Sequence, residues 1–271
     1  MPELPEVETI CRGIAPYLIG HVIQDVIVRD SRLRWPVLST LRDILAGQRI
    51  QNVSRRAKYL LIHLHKGTLL IHLGMSGSLR LSPLSTAAEK HDHIDFIIDP
   101  GCLRYRDPRR FGAVLWHSDP IEHHPLLAHL GPEPLDDTFN GNILYQLGSR
   151  RNTRIKQFIM DSHVVAGIGN IYANEALFYA AIHPERRTSC MTAQDYSRLA
   201  TTLQSVLQRA IEAGGSTLKD FVDARGKPGY FQQSYQVYDR AKLPCYRCAT
   251  PIEKIRQGQR SSYYCPSCQP W

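Results

Sequence analysis

Four cysteines near the end of the chain constrain it more than any other feature. Cys245 and Cys248 are separated by two residues, as are Cys265 and Cys268, and sixteen residues lie between the pairs. Each pair can give two thiolates to one tetrahedral ion, and the stretch between them fits a hairpin. With no fifth candidate ligand, the spacing predicts a closed, structural site for one Zn2+. Such an ion pins a segment too small to fold around a core of its own. The turn is expected within residues 255–261, where Gly258 sits among polar residues. A hairpin held this way either sets Arg256 or Arg260 against a phosphate or leaves both in solvent. Cys11, Cys102 and Cys190 are scattered and read as ordinary reduced thiols.

The rest of the 271 residues divides at Gly131-Pro132-Glu133-Pro134, where a glycine and two prolines mark a loop or hinge. Before it, a helix is expected over residues 7–18, with Glu3, Glu6 and Glu8 near its start, where acidic groups suit the helix dipole. Strand-like segments follow at 22–28, 59–64, 68–73, 94–98 and 112–116. Beyond the hinge the apolar spacing is helical. It is clearest over 192–213, where Tyr196, Leu199, Leu203, Val206, Leu207, Ala210 and Ile211 share one face. Thr192 with Asp195 reads as an N-cap pair, and Gly214-Gly215 as the stop. The expected fold is α+β and multidomain. Residues 1–134 form a β-sandwich or barrel-like domain with flanking helices, 135–236 a helical domain, and 237–271 the cysteine finger. Residues 214–230, rich in glycine, read as a loop over a ligand or as a connector.

The formal net charge is +8, which favours an anionic partner, and nucleic acid is the commonest large one. The basic residues cluster: Arg55, Arg56 and Lys58; Arg104, Arg106, Arg109 and Arg110; Arg150, Arg151, Arg154 and Lys156. Three clusters favour a DNA footprint over three solvated faces. No apolar run reaches the ~18 residues of a membrane span, and no basic-then-apolar leader opens the chain. A cytosolic protein without a membrane partner is expected. Met1 precedes Pro2, and aminopeptidases remove methionine before small residues. An α-amino group has a pKa near ~8, against ~10.4 for lysine. More of it is therefore neutral and nucleophilic, and a secondary amine can condense with an aldehyde carbon. Glu3 is adjacent and can exchange a proton.

The opening Met1-Pro-Glu-Leu-Pro-Glu-Val-Glu-Thr9 resembles that of the formamidopyrimidine-DNA glycosylase family. The likeness continues through Arg56-Ala-Lys58-Tyr-Leu60, His72-Leu-Gly-Met75-Ser-Gly77, Lys90-His-Asp-His93 and Asp107-Pro-Arg-Arg-Phe-Gly112. It extends to Gly167-Ile-Gly-Asn-Ile-Tyr-Ala173-Asn-Glu175, Gly226-Lys-Pro-Gly-Tyr-Phe231 and the cysteines, so it spans essentially the whole chain in order. The resemblance implies a base-excision repair enzyme, glycosylase and abasic-site lyase, acting as a monomer on double-stranded DNA that contains oxidised purines. Its setting would be the bacterial cytoplasm, with the nucleoid reached through DNA.

By resemblance, Pro2 attacks C1′, Glu3 protonates the sugar ring oxygen, and Lys58 and Arg260 serve the phosphates during β,δ-elimination. Met75, Arg109 and Phe111 fill the space of the extruded base, although core packing is the plainer reading of Met75 and Phe111. His91, Arg151, Lys156 and Asn170 match DNA contacts, Asn170 at the start of a helix in a helix–two-turn–helix motif. Glu6 and Glu175 match acidic residues near the nucleophile, with a structural role the competing reading. At Asn152 the chain departs from relatives that carry a basic residue there, and Arg150 and Arg151 precede it. The resemblance further implies that DNA lies in a cleft between the domains and that residues 216–231 close over 8-oxoguanine. The alternatives are an endonuclease VIII-like enzyme for oxidised pyrimidines and a non-catalytic zinc-dependent binder of damaged DNA. Leu4, rather than glycine, in the opening favours the oxidised-purine branch.

Overall fold

Helix α1 (Leu4–Leu18) begins three residues before the first residue of the apolar repeat. Glu3 stands at the N-cap, Pro5 occupies the first turn, and Glu6 Oε2 accepts the Glu3 backbone N–H at 2.8 Å, one arm of a capping box. The protein is described by a computed structural model over residues 2–216 and 231–271. Met1, and residues 217–230 of the stretch likened above to a lesion-closing loop, lie outside the described residues. The described chain separates into two units. One holds residues 2–128 and 213–216, the other His129–Glu212 and Phe231–Trp271.

In the first unit, α1 is followed by β1 (Asp25–Val28), α2 (Leu41–Leu45), β2 (Ile50–Arg56), β3 (Tyr59–Leu64) and β4 (Gly67–His72). Then come β5 (Ser78–Pro83), β6 (Asp92–Ile98), β7 (Gly101–Arg106) and β8 (Ala113–His117). The strands form two antiparallel four-stranded sheets, ordered β1-β6-β7-β5 and β2-β3-β4-β8. One apolar core takes Ile94, Phe96, Leu103 and Tyr105 from the first sheet and Leu60, Ile62, Leu69 and Ile71 from the second. Ile10, Ile14 and Leu18 of α1 join it. Two sheets sharing one core are a sandwich.

Three of these strands escape the apolar pattern for physical reasons. Strand β5 ends in Pro83, tolerable because β5 is an edge strand. Strand β2, at another edge, buries only Ile50 and Val53, three residues apart, so no period-two apolar pattern marks it. Strand β7 is central and yet carries Arg104, 3 % exposed. Asp95 neutralises it through two hydrogen bonds of 2.8 Å, and the Thr86 and Ala87 carbonyls each accept one more, both at 3.1 Å. Arg104 is therefore a buried structural cation and leaves the basic DNA footprint in which its cluster placed it. Arg106 pairs with Glu89, and Arg110 with Asp30 at 2.6 Å.

The second unit is helical: α3 (Gly141–Gly148), α4 (Ile155–Met160), α5 (Asn170–Tyr179) and α6 (Ala193–Glu212), closed by the hairpin β9 (Glu253–Gln257) and β10 (Arg260–Tyr264). The Thr192–Asp195 pair caps α6, with Asp195 N–H donating to Thr192 Oγ1 at 3.2 Å and Asp195 Oδ2 accepting the Thr192 N–H at 3.0 Å. Helix α5 is buried along nearly its whole length, which makes it the unit's axis. Its Phe178 packs with Val237, Cys245, Ile252, Tyr263 and Cys265, so the cysteine finger shares a core with the helices. Among the described residues no helix is long and apolar enough to cross a membrane.

Candidate active site

Pro2 and Glu3 are both buried at the mouth of α1, with Glu3 3 % exposed. Glu6, fully buried one turn on, fixes them: its Oε2 takes the Glu3 N–H, and its Oε1 takes the Ser216 N–H at 2.8 Å. One carboxylate thus holds both the start of the chain and the residue that leads into 217–230. Lys58 stands in the two-residue turn between β2 and β3, where Ala57 adopts a left-handed φ of 51°. That turn is braced on α1: Arg55 Nε donates to Glu8 at 2.9 Å, and an Arg55 guanidinium nitrogen donates to the Ala57 carbonyl at 2.9 Å. Burial pulls Glu8 upward, but hydrogen bonds from Arg12 and Arg55 hold it below the usual glutamate range. Next to this turn, burial and then the charges of Lys58 and Arg34 push His72 down to about 4. A neutral His72 can accept the Gly74 N–H at Nδ1, 3.0 Å away.

Met75 and Phe111, 42 % and 47 % exposed, stand on adjacent loops of this same unit. The Arg109 guanidinium lies 5.0 Å from the Phe111 ring centroid. Core packing is thereby excluded for both apolar side chains. His91 is half-buried beside His93, with ring centroids 6.4 Å apart.

The second unit gathers a different set. Arg260 is exposed and opens β10 opposite Gln257, after a turn in which Gly258 takes a φ of 59°. Lys156, only 1 % exposed, donates from Nζ to the Ser261 carbonyl at 2.8 Å and to Ser262 Oγ at 2.7 Å, tying α4 to the hairpin. A cavity of about 250 Å3 is lined by Lys156, Gln157, Met160, Gln259 and Arg260 among others. Asn170 is the first residue of α5, and its Oδ1 is a buried oxygen without a hydrogen-bond partner among the described residues. Arg151 is exposed, 5.8 Å from the Phe158 ring. Asn152 beside it accepts from Arg187 through its carbonyl at 2.9 Å.

Glu175, fully buried, takes the backbone N–H groups of Gln236, Val237 and Tyr238 at 2.9, 3.0 and 2.9 Å. Burial nevertheless raises its pKa above the usual glutamate value. Substituting glutamine turns an amide donor toward at least one of these donors. Glu175→Gln is expected to cost about 1–3 kcal/mol of stability, read as a lower denaturant midpoint with an unchanged slope. An unchanged midpoint would remove the cap from the fold's supports.

Reading the sequence by motif missed Asn174. Its Nδ2 donates to the Asn170 carbonyl at 2.6 Å and its Oδ1 accepts the Tyr263 N–H at 2.7 Å, joining α5 to β10. No local signal separated it from Asn170 and Glu175, the other acidic or amide residues of α5.

The four cysteine sulfurs lie within 4.8 Å of one another, with Cys248 Sγ 3.4 Å from Cys265 Sγ and 3.5 Å from Cys268 Sγ. A tetrahedron of ~2.3 Å zinc–sulfur bonds has edges of about 3.8 Å, so the donor set fits zinc. The Arg247 and Cys268 N–H groups point at Cys245 and Cys265 sulfurs at 3.4 and 3.5 Å, the outer support that thiolate ligands attract.

The chain matches three family models in order. They are the formamidopyrimidine-DNA glycosylase N-terminal domain over residues 1–114, its H2TH domain over 130–222, and the zinc finger found in FPG and IleRS over 242–270. It is 56 % identical to a formamidopyrimidine-DNA glycosylase of Methylococcus capsulatus, covering 99 % of this chain and all of that one. Among solved structures, it resembles Lactococcus lactis Fpg in complex with DNA containing an abasic site, at 33 % identity, a TM-score of 0.92 and full coverage of both chains. It also resembles the MutM (FPG) protein of Thermus thermophilus, at 37 % identity and a TM-score of 0.88, covering 99 % of this chain and 98 % of that one.

Proposed function

Because this chain belongs to the formamidopyrimidine-DNA glycosylase family, we propose that it excises 8-oxoguanine and formamidopyrimidines from double-stranded DNA and then cleaves the abasic strand. The Pro2 nitrogen, freed by loss of Met1, gives its lone pair to C1′ of the damaged nucleotide. The glycosidic bond breaks, its electrons leave with the base, and the proton that the attacking amine sheds passes to that base. Glu3 protonates the ring oxygen, the C1′–O bond opens, and an iminium links Pro2 to the sugar. Loss of a C2′ proton expels the 3′ phosphate, and a second elimination expels the 5′ phosphate. Lys58 and Arg260 offset the charge that develops on these leaving groups.

Met75, Arg109 and Phe111 enter the duplex where the base has left. Arg109 hydrogen-bonds the orphaned cytosine, and the wedge offsets an unstacking cost of a few kcal/mol. His91, Arg151 and Asn170 meet the DNA backbone, Asn170 with the free N–H groups of a helix start. Lys156 acts by holding the hairpin that bears Arg260. Zinc, when bound, keeps that hairpin folded through Cys245, Cys248, Cys265 and Cys268 and takes no part in the chemistry.

The observation that carries this reading is the Glu3 carboxyl, buried at the N-cap with its backbone fixed by Glu6. Beyond capping α1, an acid buried directly beside an N-terminal secondary amine is placed for proton transfer.

The test is borohydride trapping on duplexes carrying 8-oxoguanine opposite cytosine or thymine glycol opposite adenine. A covalent adduct on 8-oxoguanine that Pro2→Gly loses is the expected result. Adduct only on thymine glycol would move the substrate to oxidised pyrimidines. No adduct on either would make the protein a non-catalytic binder.

A further inference from the structure

Asp107 is fully buried, and each of its carboxylate oxygens accepts two donors. Oδ1 takes the Ser76 hydroxyl at 2.8 Å and the Arg109 N–H at 3.2 Å. Oδ2 takes the Gly112 N–H at 2.8 Å and the Tyr105 hydroxyl at 3.3 Å. Burial and the neighbouring carboxylate push the Tyr105 phenol well above its usual value, so the hydroxyl stays a donor. The Asp107 backbone is engaged as well. Its N–H donates to the His91 carbonyl at 3.1 Å, and its own carbonyl lies 2.8 Å from His93 Nε2.

These bonds fall on the loops that bear the exposed side chains. Ser76 follows Met75, and its Oγ also accepts the Arg109 N–H at 3.2 Å. Gly112 follows Phe111. The two loops touch backbone to backbone, because a Cβ on Gly74, whose φ is 60°, would fall inside contact distance of the Phe111 carbonyl carbon and the Gly112 nitrogen. The support common to Met75, Arg109 and Phe111 is one carboxylate with both oxygens filled.

The geometry points to Asp107 as the positioning residue that locks Met75, Arg109 and Phe111 into one preassembled wedge, and so governs base extrusion and the reading of the opposite base. This rests on the proposed entry of that triad into the duplex. Ordering the three side chains before DNA arrives removes a cost that binding would otherwise carry. Locking the Arg109 backbone fixes which base its guanidinium can read. Asparagine cannot replace the aspartate, since its amide group would face two donors whichever way it is turned.

The experiment compares wild type, Asp107→Asn and the milder Ser76→Ala in two readouts. Hydrogen exchange on the free protein needs no activity. In Asp107→Asn, amides of residues 74–77 and 109–112 are expected to gain exchange together, by tenfold or more, and in Ser76→Ala together by less. Gain in one loop alone, or across the whole unit, would overturn the coupling.

In single-turnover excision, Asp107→Asn is expected to lose at least tenfold on 8-oxoguanine opposite cytosine. Its preference for cytosine over adenine opposite the lesion should shrink at least threefold. Borohydride adduct on a preformed abasic site, where no base has to be extruded, should stay within threefold of wild type. Equal loss on all three substrates marks a merely structural residue and overturns the inference, as does no loss on any. Wild type that fails on 8-oxoguanine refutes the proposed function instead, and hydrogen exchange still decides whether Asp107 couples the loops.

Discussion

Glu3→Gln is expected to lower 8-oxoguanine excision by about 10²- to 10⁴-fold, the usual contribution of a positioned acid, while leaving the protein folded. The substitution is almost isosteric. The Glu3 backbone N–H keeps its bond to Glu6 Oε2, so the first turn of α1 and its hold on Ser216 survive. What disappears is the proton for the sugar ring oxygen. An intact nucleotide needs that proton, because the closed ring has to open as the iminium forms. A preformed abasic site needs it far less, because its sugar already exists in part as the open aldehyde. The two substrates should therefore separate: excision collapses, whereas borohydride adduct on abasic DNA falls by less than about tenfold. Single-turnover excision and trapping, run side by side, measure the split. Equal loss on both would mean that Glu3 supports the helix start and transfers no proton, and no loss on either would remove it from the chemistry.

How much of this was legible in the sequence depended on whether the signal was local. The α6 helix and its Thr192–Asp195 cap, the cysteine spacing and strand β3 all follow from neighbours in the chain, and the structure has them within a residue or so. Strand β7 was hidden because Arg104 reads as surface until Asp95, on the adjacent strand, is seen to neutralise it. The same blindness turned a buried structural arginine into part of a charge footprint.

Site residues behaved alike. Pro2, Glu3 and Arg260 were marked by pattern and resemblance. Asp107 was quoted only as the first letter of a motif, because its four donors come from Ser76, Tyr105, Arg109 and Gly112 and converge only in three dimensions. Lys156 shows the converse. A lysine in a basic run suggests a phosphate partner, but its ammonium is spent on Ser261 and Ser262, more than a hundred positions away. Sequence separation conceals such partners from any reading by motif.

Cys265→Ser should release the zinc and take the hairpin with it. Cys265 is fully buried and shares the core of the second unit with Phe178 and Tyr263. A hydroxyl is a poor zinc ligand, and the apparent binding energy of such structural sites, roughly 10–16 kcal/mol, is folding energy. Without it a hairpin of two five-residue strands is marginal in water. The damage spreads, since Lys156 loses both acceptors on β10 and α4 loses its tie to the hairpin. Arg260, which sits on the first residue of β10, then has no fixed position.

Metal content should fall from one ion per chain toward none. DNA affinity should drop at least about tenfold, the worth of one charge-assisted hydrogen bond. The salt dependence of binding should become shallower by about 0.9 in logarithmic slope for each phosphate the protein no longer neutralises. A strong chelator acting on the wild type should reproduce all three changes, and added zinc should reverse them. Zinc lost with binding unchanged would show that the hairpin stands on its apolar packing alone, and that Arg260 owes its position to Phe178 and Tyr263 rather than to the metal.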